Sequence, residues 1–88
     1  MKDKIDEEVS VLMFYSARHK KFVPNLLRWR NNDYELGEVD YQHSYMEGRD
    51  RQHIFELANK DQTIWFRLRL DSSNLHCILE ATHDGNPA

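Results

Sequence analysis

The side chains of this 88-residue chain that could carry chemistry are five histidines, His19, His43, His53, His76 and His83, and one cysteine, Cys77. Imidazoles and thiolates hold zinc or iron when several converge at ligand spacing, and a cysteine in an accessible, electropositive setting can act as a nucleophile. The spacing here favours neither. There is no C-x-x-C, no H-x-x-x-H and no paired-carboxylate motif, and His76 and Cys77 are neighbours, so on a strand they point to opposite faces. His43 and His53 are the pair best placed to share a metal, as diagonal neighbours across a loop around Gly48 with Tyr41 and Tyr45 nearby. The simpler expectation is that both are half-buried, hydrogen-bonded histidines of a sheet. Cys77 is expected to face inward between Leu75 and Leu79, as a structural thiol. The serines Ser10, Ser16, Ser44, Ser72 and Ser73 sit in no G-x-S-x-G elbow, and Gly37, Gly48 and Gly85 make no phosphate loop. No catalytic residue, metal or cofactor is expected.

Recognition chemistry has more to work with. Between residues 18 and 30 stand five basic side chains, Arg18, Lys20, Lys21, Arg28 and Arg30, and no acid; between 31 and 50 stand six acids and one base. A basic run invites a nucleic-acid reading. A hairpin joining the two blocks offers a plainer one, with Arg30 opposite Asp33 and Arg28 opposite Glu35 as favourable cross-strand pairs. That leaves the loop residues Arg18, Lys20 and Lys21 unanswered, free to dock an acidic partner or a phosphate. A second feature is a sheet face carrying Trp65, Arg67 and Arg69, which could stack bases and hold phosphates. Glu56 and Glu80 on the same face would repel a phosphate backbone and pair with Arg67 instead. With Ile54 and Ile78 beside it, Trp65 reads as part of an exposed apolar patch of the kind that marks a protein interface.

These side chains must be positioned by strands. No stretch carries a helical period, whereas short runs alternate with period two between polar punctuation. Thr63 to Leu70 is the clearest, with Ile64, Phe66, Leu68 and Leu70 on one face. His53, Phe55 and Leu57 precede it, and Leu75, Cys77, Leu79 and Ala81 follow it. The loops Asn59-Lys60-Asp61-Gln62 and Asp71-Ser72-Ser73-Asn74 suggest registers that pair Ala58 with Thr63 and Leu70 with Leu75, which places Phe55 opposite Phe66, Phe66 opposite Leu79, and the row His53, Leu68, Cys77 on the inner face. Upstream, Asn31-Asn32 is the expected hairpin tip, with Trp29 facing Tyr34 and Leu27 facing Leu36. The apolar phase changes parity after Leu36 and continues as Val39, Tyr41, His43 and Tyr45, so a β-bulge is expected at Gly37-Glu38. A first strand over Val9 to Ala17 is apolar on both faces, and the tail from His83 onward is expected to fray.

The ordered series Tyr15-Ser16, a short basic loop, Pro24, Leu27, Trp29-Arg30, Tyr34, Val39, Phe55, Leu68, Asp71 and Leu79-Glu80 resembles that of small uncharacterised prokaryotic β domains. In those a Tyr-Ser strand end precedes a proline, then a tryptophan-turn-tyrosine hairpin followed by a valine. The resemblance spans residues 9–80; such domains commonly have a glycine at the hairpin tip, where this chain has Asn31-Asn32. It implies an all-β fold and assigns no catalytic residues.

Composition bounds the rest. With 40% hydrophobic and 31% charged residues and a formal charge of -3, the chain reads as one globular domain over 1–88, ordered from about 9 to 82. The amino-terminal MKDKIDEE lacks a signal-peptide apolar region and the longest apolar run is Val11 to Tyr15, so a cytoplasmic protein with no membrane partner is expected. The expected fold is a small all-β antiparallel meander of five or six strands, as a strongly bent sheet or partly open barrel. The expected function is that of a non-catalytic protein-interaction module, a homodimer using the two-faced first strand or the Ile54/Trp65/Ile78 surface. The alternative is a nucleic-acid-binding module using Trp65, Arg67, Arg69 and the 18–21 loop, which the net acidity disfavours; a metal-dependent enzyme using His43 and His53 comes third.

Overall fold

A computed structural model, which describes residues 2–18 and 20–84, contains six antiparallel strands. They are β1 (Lys2–Ser16), β2 (Lys21–Trp29), β3 (Asn32–Glu47), β4 (Asp50–Asn59), β5 (Ile64–Asp71) and β6 (Cys77–Asp84). Each lies beside the next in chain order and β6 returns to β1, so the meander closes into a ring. Among the described residues there is no helix, and hence none long and apolar enough to cross a membrane.

The ring closes because two strands are long enough to serve two neighbours each. The first part of β1, to Val9, pairs with β6, and the part from Ser10 pairs with β2. Likewise Asn32–Glu35 of β3 pair with β2, while the stretch from Leu36 to Glu47 pairs with β4. Bulges bend both strands between partners, as an extra unpaired residue does by raising the local twist. The bulge expected at Gly37-Glu38 is present. Gly37 suits it, because a Cβ there would lie 3.4 Å from the Ala58 carbonyl oxygen. A second register shift follows between Val39 and Tyr41. It corrects the expected phase: Val39 packs on the core, whereas Tyr41, His43 and Tyr45 share the outer face with Glu56, Ile54 and Gln52, their partners on β4.

β1 also starts earlier than expected, at Lys2 rather than Val9. Its charged opening alternates: Ile5 and Val9 pack against the core while Lys4, Asp6 and Glu8 are exposed. So few apolar side chains carry the pattern that composition conceals it. At the other terminus His83 and Asp84 belong to β6, and residues 85–88 lie outside the described residues.

In three hairpins the registers next to the turn are displaced by two residues from those expected. The β2–β3 tip is Arg30-Asn31, not Asn31-Asn32, and both residues have positive φ (51° and 64°), as a two-residue type I′ turn requires. Arg28 therefore faces Asp33 and Leu27 faces Tyr34. Between β4 and β5, Ala58 faces Trp65, Leu57 faces Phe66 and Phe55 faces Leu68. The loop widens because Asn59 Oδ1 accepts the N–H groups of Thr63 (2.8 Å) and Ile64 (3.2 Å), which takes Thr63 out of the ladder. Between β5 and β6, Leu70 faces Cys77 and Leu68 faces Leu79, and the inner row is His53, Leu70, Cys77. Where the shift is two, every side chain keeps its own face; beyond Leu68 a bulge in the β5–β6 pair reverses the parity, so that Thr82 faces Phe66 and Ala81, expected on the inner face, stands opposite Arg67. The core is the inner face of the ring: Leu27, Leu36, Phe55, Leu57, Phe66, Leu68, Cys77 and Leu79.

Candidate functional site

The outer face of β4–β6 departs from the expected apolar patch. Ile54 is only 2% exposed, lying in a row between His43 on one side and Arg69 and Ile78 on the other. Trp65, half-buried, stands opposite Ala58 and its indole N–H donates to Asp40 Oδ2 at 3.3 Å. Its ring centroid is 6.5 Å from that of His83. Arg67 donates to Glu80 (2.9 Å) and Glu56 (3.1 Å), and Arg69 lies 3.5 Å from Glu80. The arginine stripe is thus neutralised on its own sheet, by the two glutamates noted in the sequence.

The histidines do not converge. Ser44 faces His53 and His43 faces Ile54, so the His43 ring points outward and the His53 ring inward. The second bulge of β3 makes this difference. His43 instead stacks between Tyr41 and Tyr45, at 6.3 and 6.2 Å between centroids. Among the described residues no three His, Cys, Asp or Glu side chains gather where they could hold a metal ion. Burial pushes the Cys77 thiol up to about 12, which keeps it protonated and unreactive near neutral pH. Of the basic loop, Arg18, Lys20 and Lys21 are exposed, and His19 lies outside the described residues.

Two other places stand out, and both follow from the strands that serve two partners. The β2–β3 ladder has only four pairs, from Leu26–Glu35 to Trp29–Asn32. Beyond it β2 pairs with β1 alone and β3 with β4 alone, leaving a slot between β2 and β3. A hollow of ≈ 550 Å³ lies there, walled by Phe14, Val23, Pro24, Leu36 and Val39. Along the slot Asp40–Ser44 are exposed on both faces, where a closed sheet would bury alternate residues. Phe14 on β1 is 55% exposed beside it.

The second place is the end of the ring that carries the β1–β2, β3–β4 and β5–β6 loops. Tyr15, Phe22, Met46 and Leu75 are all exposed there. The loop after β5 is held firmly: Asp71 Oδ1 accepts the Ser73 N–H (2.9 Å) and hydroxyl (2.6 Å), and Ser72 donates twice to the Arg51 carbonyl. The Ser73 hydroxyl, then Gln52, holds the Asp71 carboxyl below its usual range. Leu75 was expected in the core; its N–H bonds to the Asp71 carbonyl at 2.7 Å, its φ is 62° and it projects 73% exposed. Neither place was identified from sequence. The nearest signal was the first strand's apolar character on both faces, which includes the exposed Phe14 and Tyr15. No family model, no curated protein and no solved structure matches this chain.

Proposed function

We propose that the protein is a non-catalytic protein-interaction module that self-associates through the free edge of β3. The observation that carries this is the unpaired edge beyond Leu36, whose regular stretch Tyr41–Met46 has no charged side chain and no proline. Sheets ordinarily protect such an edge with lysine, proline or a covering element, because its N–H and C=O groups template another strand. Strand addition supplies main-chain hydrogen bonds from the edge and specificity from alternate side chains.

A second copy of the chain fits as the occupant. An antiparallel pairing centred on His43 sets Tyr41 opposite Tyr45 of the other copy and Asp40 opposite Met46, so no acid meets an acid. Each aromatic cross-strand pair then contributes roughly 0.2–1 kcal/mol, extending the Tyr41/His43/Tyr45 stack across the twofold. The same reading sets the protein in the cytoplasm, where a lone thiol such as Cys77 stays reduced.

Sedimentation equilibrium tests it. Wild type is expected near twice 10.6 kDa, and His43→Lys, which puts charge into the edge without touching the core, near the single mass. A wild-type monomer at high concentration overturns the reading. So does a dimer that survives His43→Lys but is lost in Phe14→Glu, which would place the contact on the outer face of β1.

A further inference from the structure

The loop-bearing end of the ring opens into a second hollow, to which the β3 edge contributes the Gln42 side chain and not His43. Its volume is ≈ 510 Å³, inside the range of about 300–1,000 Å³ typical of small-molecule sites, for which the mouth of a β-barrel is a common location. The walls are Met13, Phe22, Phe55, Leu70 and Leu75, with Phe55 as a buried floor and Leu75 and Phe22 exposed at the rim.

The polar groups at this hollow are few, and none is acidic. Lys21, Gln42, His53 and Ser72 line it, and no Asp or Glu does. In a chain of net charge -3, a cavity whose only ionisable groups are cationic or neutral is selective for negative charge. Among the described residues Lys21 has no carboxylate partner, and Lys20 and Arg18 lie close to it in the chain.

Leu75 supplies an independent observation. A side chain with a Cβ is disfavoured at φ 62°, and a leucine gains nothing by facing water. Yet the loop bonds from Asp71, Ser72 and Asn74 hold it there. The strain is maintained where the leucine overhangs the hollow.

We propose that this hollow binds a single-chain anionic amphiphile, an alkyl carboxylate of the fatty-acid type. Its chain lies between Met13, Phe55, Leu70 and Leu75, and its carboxylate meets Lys21 at the rim. Apolar contact supplies the affinity, and the lysine fixes which end stays outside.

The experiment is calorimetric titration of the full chain with dodecanoate below its micelle concentration, alongside dodecyltrimethylammonium. The expected result is saturable one-to-one binding of the carboxylate and binding of the ammonium weaker by at least about tenfold. Lys21→Glu is expected to weaken dodecanoate by about tenfold or more with an unchanged circular dichroism spectrum. Leu75→Gly is expected to weaken it several-fold. His43→Lys, whose side chain lies on the outer face, is expected to bind as wild type, so ligand binding and self-association fail independently. No saturable binding of dodecanoate overturns the proposal, and so does equal or tighter binding of the ammonium. Undiminished binding by Lys21→Glu overturns it as well.

Discussion

The two ends of the ring are built from the same kinds of residue and have opposite characters. At the end carrying the β2–β3 and β4–β5 turns, aromatic side chains close the interior. Trp29 is 6.4 Å from Tyr34, which meets the Phe66 ring edge-on at 5.3 Å. Glu7 of β1 locks this plug, accepting the Trp29 indole N–H at 3.2 Å and the Arg30 guanidinium at 2.6 Å. Arg30 lies 4.6 Å above the Trp29 ring. At the opposite end Tyr15 and Phe22 also face each other, with ring centroids 5.1 Å apart, but remain about half exposed. Burial in a small ring thus depends on ladder continuity more than on composition. Where β2 and β3 stay paired the aromatics are covered, and where they part the aromatics line an opening.

Cavity formation separates the two ends most widely. Phe66→Ala is expected to cost about 3–5 kcal/mol in urea denaturation, as truncation of a fully buried aromatic does. Phe22→Ala should stay within about 0.5 kcal/mol, as for an exposed side chain. Comparable losses would mean that the open end is closed in solution.

A smaller effect distinguishes the polar lock. The Arg30 guanidinium, then the Trp29 indole, holds the Glu7 carboxyl below its ordinary value of 4.5. A carboxyl whose folded pKa is depressed contributes stability above its unfolded value and loses it as pH falls through the folded one. Urea midpoints on either side of that window should therefore differ more in wild type than in Glu7→Gln, with Trp29 fluorescence as the local probe. Asp33, lowered by Arg28, and Asp71, lowered by Ser73, respond in the same direction in both proteins. An equal acid response in the two proteins removes the lock.

The smallest effect has the opposite sign. Leu75→Gly relieves a left-handed backbone worth roughly 1–2 kcal/mol, partly offset by the greater freedom of glycine in the unfolded chain. Thermal unfolding should show an unchanged or slightly raised midpoint. A clear drop would show that Leu75 packs in the native state, against its role at an open rim.

Much of the architecture was legible from residue order. Period-two alternation in Thr63–Leu70 and its neighbours identified strands and faces, and the parity change after Leu36 located the Gly37-Glu38 bulge. What alternation cannot give is absolute register, because a slip of two leaves the pattern intact. Register was decided by turn chemistry that composition leaves ambiguous: positive φ at Arg30 and Asn31, and the Asn59 side chain capping Thr63 and Ile64. The second bulge near Asp40 was hidden in the same way, since Tyr41, His43 and Tyr45 suit either face.

Residue order alone established an all-β meander, most of its inner face, the pairing of Arg67 with Glu56 and Glu80, and a cysteine that packs inward; Leu75 and Ala81 are the inner-face residues it misplaced. That β1 and β3 each change partners midway emerges only in the folded sheet. That choice seals one end of the ring and opens the other. It depends on how far each ladder continues before strand twist separates its strands, a property of the closed sheet that no local window of residues contains.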